Sequence, residues 1–195
     1  MNQQDDQLAR PGAGLPSFER SVLSLALRSG AFVWSEKKFL RMFHAETQTL
    51  LNIIWANPIA TLGDEVLIDR LTGMEDSSRY WSVLMVLEHL AAVNSDIADI
   101  ITSLNDDVAP EISRRGIAEY KPDPEVGSAA IDRFEHVSKT FESRIACLGK
   151  LVSRARFPHP WFGPINSKQW LALACFHQRL HRRQAQKIVA VLGAV

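Results

Sequence analysis

NSKQWLALACFHQRLHRRQAQKIVAV, residues 166–191, is the stretch whose reading decides the fold. Its apolar residues return at three- and four-residue steps, the period of an amphipathic helix. Asn166 is a good N-cap, and Gln169 three residues later completes a capping box. Within the helix, His177 and His181 stand at i and i+4, so both imidazoles lie on one face. Trp170, Ala174, Gln184, Ile188 and Val191 share that face, which should therefore point inward. Two inward histidines one turn apart can grip one metal ion if a third ligand comes from another helix. His89, in Leu87-Glu88-His89-Leu90, is the candidate third ligand, because Met85, Val86, Val93 and Ile97 make its face apolar.

Three further long helices lie upstream. Residues 128–154 carry Ile131, Phe134, Val137, Phe141, Ile145 and Leu148 as a stripe. Residues 79–104 are apolar around most of the circumference, which predicts a buried helix capped by the Asp76-Ser77-Ser78 stretch. Residues 36–56 repeat Leu40, Phe43, Thr47, Leu51 and Ile54, and Pro58 ends them. Between the helices over residues 79–104 and 128–154, residues 105–127 form a long link rich in proline and glycine. A tight helical hairpin needs only a few residues, so this length permits the next helix to run parallel to its predecessor. Residues 157–164 contain three prolines and should form a stiff loop.

The remainder is an N-terminal extension. Residues 1–16 are polar, with two prolines and two glycines, and predict a mobile tail. Residues 17–28 predict a short amphipathic helix ended by Gly30, and residues 31–34 a brief strand-like run. No alternating pattern is long enough to argue for a sheet. The expected architecture is all-α: a tail and short extension over residues 1–35, then a four-helix bundle over residues 36–195.

Composition limits the function. The chain has 195 residues, 46% hydrophobic and 23% charged, ordinary for a globular protein. Twenty-two basic residues balance 22 acidic ones, giving a formal net charge of +0 and no bulk field to collect nucleic acid or an anionic membrane. Cys147 and Cys175 make no disulfide framework, and both are expected as buried, reduced thiols. Residues 1–6 carry two Asp and no Lys or Arg, unlike a signal peptide, and no stretch approaches membrane-spanning length. A cytoplasmic location is the expectation.

Ordinary packing competes with the metal reading. A lone buried histidine usually just finds a hydrogen-bond partner, and the HxxxH spacing also arises by chance. Three histidines on inward faces of two helices argue more strongly, since three neutral imidazoles and one open position make a catalytic zinc site. Gln178 follows His177, so this is not the HExxH pattern of a metalloprotease. There is no Glu-x-x-His pair, P-loop, GxSxG or GxGxxG. His44 and His136 are expected on partly exposed or solvated faces. His159, between two prolines, either approaches the mouth of the site or has a packing role. Asp96, two turns from His89, and Gln184, one turn past His181, are candidate partners behind the ligands. Trp81, Trp161 and Trp170 are read as core packing or as an apolar wall for a ligand.

The pattern Tyr80-Trp81, Leu87-Glu88-His89-Leu90, a long link, His159-Pro160-Trp161-Phe162-Gly163-Pro164, Gln169-Trp170, His177, His181 and Gln184 resembles the DinB superfamily. The resemblance covers roughly residues 38–192. It implies an up-down-down-up four-helix bundle holding one divalent ion (zinc, nickel or iron) on His89, His177 and His181. It further implies a small-molecule substrate, with hydrolases and low-molecular-weight-thiol-dependent transferases among the members, and a homodimer. The contrasting expectation is a non-catalytic bundle dimer that binds a small molecule or partner, with the histidines structural.

Overall fold

The structure, a computed structural model, describes residues 8–110 and 116–193. In chain order these form α1 (Ser17–Val33), α2 (Glu36–Trp55), a short α3 (Ile59–Leu62), β1 (Val66–Leu67), β2 (Tyr80–Trp81), α4 (Val83–Asn105), α5 (Ala129–Leu148), β3 (Arg156–His159), β4 (Gly163–Asn166) and α6 (Ser167–Leu192). The four long helices α2, α4, α5 and α6 build the bundle. α4 packs against α5 and α6, and α2 packs against α6 and α5.

Local chemistry sets the helix starts. Ser35 accepts the Lys38 N–H at 3.3 Å to open α2. Asn166 and Gln169 exchange the two 3.0 Å bonds of a capping box to open α6, as the sequence predicts. α4 begins later than expected. Residues 76–78 form a 3-10 turn, and Ser82 is the cap, its hydroxyl accepting the Met85 N–H at 3.2 Å. Tyr80 and Trp81 leave the helix because they pair with Leu67 and Val66 in an antiparallel ribbon. α5 ends at Leu148, short of residue 154, because Gly149 turns the chain at φ 69°, ψ −117°, a conformation only glycine adopts without strain.

The N-terminal segment also differs from its sequence reading. α1 continues through Gly30 to Val33, so residues 31–34 are not a strand. Glycine inside a helix is unfavourable, but Gly30 lies against the Phe176 ring, and the packing of α1 on α6 carries the helix through it. From Leu8 onward the expected mobile tail is tied down. The Ala9 N–H donates to Asp76 at 2.8 Å and the Gly14 N–H to Glu75 at 2.9 Å, while Leu15 is buried. The Ala9 bond and then Arg79 hold the Asp76 carboxyl below its usual range. Residues 1–7 lie outside the described part. The proline-rich 157–164 segment is a hairpin rather than a loop, with β3 and β4 pairing Phe157 with Ile165 and His159 with Gly163. No helix among the described residues is long and apolar enough to cross a membrane.

The core is split by a polar layer. One apolar cluster holds Phe39, Phe43, Ile101, Phe141 and Leu171; the other holds Leu50, Leu87, Leu90, Phe134 and Ile188. Between them each long helix contributes a buried polar residue: Thr47, Asn94, Ser138 and Gln178. Asn94 Nδ2 donates to Gln178 Oε1 at 3.0 Å, and Gln178 Nε2 donates to Thr47 Oγ1 at 3.1 Å. This chain of amides crosses from α4 through α6 to α2. Contacts elsewhere fix the helix registers. Glu88 pairs with Arg133 and Asp99 with Arg144 between α4 and α5. Phe39 O accepts the Cys175 thiol and Glu46 pairs with Arg182 between α2 and α6.

Candidate metal centre

α4 supplies His89 and α6 supplies His177 and His181, at the level of the polar layer. His177 Nε2 lies 3.2 Å from His89 Nε2 and 3.0 Å from His181 Nε2. One nitrogen from each ring falls within 4.8 Å of the others. Among the described residues this is the only cluster of His, Cys, Asp or Glu able to hold an ion. Tetrahedral zinc at ~2.0–2.1 Å from each nitrogen would space its ligands about 3.3 Å apart, close to the two distances found.

The groups behind the rings decide where their protons sit. His89 Nδ1 donates to the backbone carbonyl of Tyr120 at 2.7 Å. His181 Nδ1 donates to Gln184 Oε1 at 2.6 Å, and Gln184 Nε2 donates onward to the Ser78 carbonyl at 2.7 Å. That onward bond fixes which end of the Gln184 amide is the acceptor, and so fixes the His181 tautomer. With both Nδ1 atoms protonated, His89 and His181 turn Nε2 lone pairs on His177. A proton on His177 Nε2 satisfies one of them, not both. His177 Nδ1 is buried with no hydrogen-bond partner. Further protonation is opposed: burial lowers the His89 pKa to about 4 and holds His177 and His181 well below the ordinary histidine value. Three converging lone pairs in a site hostile to protons fit a divalent cation. Three neutral imidazoles suit zinc, nickel or iron.

The remaining sequence candidates sort themselves around this trio. Trp81 lies parallel to His181, centroids 5.9 Å apart at 9°, and 5.1 Å from His89, so it walls the site. The β1–β2 ribbon holds it there. Gln184 is the direct partner expected of it. Asp96 acts at one remove, accepting the Tyr120 hydroxyl at 2.5 Å while the Tyr120 carbonyl holds His89. The rings of Trp170 and Trp161 pack instead around His159, Phe157 and Phe162 in the hairpin. Val191 is 39% exposed, not inward. Cys175 is buried as expected, but Cys147 is exposed. His44 is exposed and pairs with Glu142 at 2.9 Å. Glu88 faces away, toward Arg133 and the Asp123 N–H.

Two acceptors escape sequence reasoning, the carbonyls of Tyr120 and Ser78. Every residue carries a carbonyl, so no residue type announces them. Two open surface grooves lie elsewhere. A groove of about 560 Å³ is lined by Arg179, Arg182, Arg183 and Lys187, and one of about 330 Å³ by Thr102, Ser143, Arg144 and Cys147.

His159 belongs to the hairpin. Its Nδ1 accepts the Trp161 N–H at 3.1 Å and its ring stacks on Phe162 at 4.7 Å. Burial lowers its pKa from 6.5 to about 4. Above the ordinary value, folded and unfolded states are both neutral there. Between that value and about 4 only the unfolded chain takes a proton, so stability falls as pH falls through this window. We expect His159→Phe, which keeps the stacking, to reduce the loss of urea resistance between neutrality and about pH 5. An unchanged loss would show that His159 is not a source of acid sensitivity.

No family model and no curated protein matches the chain. Among solved structures it is similar to the crystal structure of TT2238, a four-helix bundle protein, at TM-score 0.56 and 21% identity over 78% of this chain and 98% of that one. That likeness speaks for architecture alone: the chain is a mainly helical protein built as a four-helix bundle.

Proposed function

We propose that the chain is a divalent-metal-dependent enzyme in which His89, His177 and His181 hold one zinc, nickel or iron ion and a small molecule reacts beside it. The observation that carries this is the convergence of the three Nε2 atoms, with two of the tautomers set by outside acceptors. Bound there, such an ion would supply a Lewis acid with an open position, able to lower the pKa of water toward about 7 or to hold a thiol as thiolate. The chain's own residues would do the rest. Tyr120 and Gln184 hold the imidazoles in their ligating tautomers, and Trp81 provides an apolar wall. Among the described residues no carboxylate joins the trio as a ligand, so bound hydroxide would serve hydrolysis and bound thiolate would serve low-molecular-weight-thiol-dependent transfer.

The resemblance to the DinB superfamily belongs to the same proposal, as does an up-down-down-up course of the helices. Both Glu88–Arg133 and Asp99–Arg144 advance equally along α4 and α5, which supports a parallel pair. Phe39–Cys175 and Glu46–Arg182 do the same for α2 and α6. His181 beside His89 and Gln178 beside Asn94 run oppositely, which supports antiparallel α4 and α6.

Metal analysis of protein purified without a histidine tag tests the site. We expect about one equivalent per chain in the wild type, as a single three-ligand site requires, and none in His177→Ala. A screen of thiol conjugation to electrophiles against ester and amide hydrolysis tests the reaction. Wild-type protein that takes up none of the three metals would remove the reading. Full loading with neither activity would favour the non-catalytic bundle.

A further inference from the structure

α1 buries one side and leaves the other apolar. Leu27 and Ala31 pack into the core, and the helix lies along α6. On the opposite side Phe18 is 82% exposed, Leu25 68% and Phe32 90%, with Val22 and Val33 also exposed. Phe18, Val22, Leu25, Ser29 and Phe32 follow the alternating four- and three-residue steps of a coiled-coil seam. Globular proteins scatter single exposed apolar residues over their surface, but a continuous seam marks a contact.

We propose that this seam joins two copies of the chain, α1 lying antiparallel to α1 of a second copy. Symmetry is the first reason. A two-fold contact must be self-complementary, with one residue meeting its own counterpart near the axis. Leu25 stands midway between Phe18 and Phe32, so an antiparallel pair sets Leu25 on the partner's Leu25 and Phe18 on the partner's Phe32. Area is the second. An aromatic side chain presents ~150–250 Å², so the two phenylalanines and their aliphatic neighbours present roughly 600 Å² of apolar surface per copy. That stands at the top of the ~300–600 Å² range of a typical monomer's largest patch and approaches the ~800 Å² per partner of a stable interface. Charge is the third. The net charge is +0, so two copies carry no net charge with which to repel one another. The Glu19 carboxylate is turned away from the seam, paired with Arg70 at 2.6 Å. The seam is separate from the histidine trio, so this proposal stands or falls apart from the metal reading.

Sedimentation equilibrium on the full chain tests it, with vesicle binding measured in parallel. We expect a wild-type dimer at micromolar concentration and a dissociation constant raised roughly a hundredfold or more in Leu25→Asp. Leu25 is already mostly in water, so that variant should keep the wild-type far-UV spectrum. In a Cys147→Ser background, which removes the exposed native thiol, Leu25→Cys should form an intermolecular disulfide on mild oxidation. A wild-type monomer, or a dimer indifferent to Leu25→Asp, would overturn the proposal. So would a monomer that floats with phosphatidylcholine vesicles unless Leu25 is replaced, which would assign the seam to a lipid surface.

Discussion

Chelation of the loaded protein is expected to lower its melting temperature by about 8–16 °C. Binding to the folded state alone, with free metal about a thousandfold above the dissociation constant, stabilises by about 4 kcal/mol. For a chain of this size each kcal/mol moves the midpoint by about 2–4 °C. Stripped protein should also be less stable than its packing implies, because two imidazole lone pairs then face a third ring whose other nitrogen is already unpartnered. His177→Ala removes that conflict together with the ligand. The cavity left by the lost ring opposes that relief, so the variant should melt near stripped wild type and ignore the chelator. Calorimetry of both proteins with and without EDTA decides the matter. A loaded wild type whose curve does not move would mean that the ion sits somewhere other than in the folded trio.

Gln178→Ala is expected to cost about 3–5 kcal/mol, through a mechanism separate from metal. Gln178 has 0% exposure and its amide serves both Asn94 and Thr47. Truncation strands a buried donor on Asn94, deprives Thr47 of its partner and opens a cavity between three helices. Asn94 Oδ1 already lacks a partner, so the network has no slack to absorb the loss. Replacing the whole set at once with apolar side chains (Thr47→Val, Asn94→Leu and Gln178→Leu together) should restore much of the stability, since removing both ends of a buried hydrogen bond leaves nothing unsatisfied. Urea midpoints at unchanged slope measure both variants. A loss under about 1 kcal/mol for Gln178→Ala would show that water or a neighbour satisfies the stranded groups.

The long helices and the histidine trio are legible in the sequence because both are written in local spacing. The α6 cap needs only Asn166 and Gln169, and two histidines on one face follow from the helical period. Trp81 reads as helical because a two-residue strand has no periodicity; only its pairing with Val66 takes it out of the helix. The hairpin at Arg156–Asn166 is hidden because its prolines count against strands, yet here they pair opposite each other at the edge of a two-stranded ribbon. Gln178 stands out in the sequence only as the absence of a glutamate. Its function depends on Thr47 and Asn94, which lie far away along the chain, and no single window contains all three. Cys147 shows the limit of composition: cysteines are usually buried, but its place on α5 leaves it exposed.

The partner that orients His89 is a main-chain oxygen. No change of side chain at position 120 deletes a carbonyl, although the Tyr120 hydroxyl, bonded to Asp96, helps to hold the backbone that presents it. Adding or deleting a residue within the 3-10 turn Ile117–Tyr120 would swing the carbonyl away, so in related chains the length of that turn should be held tightly.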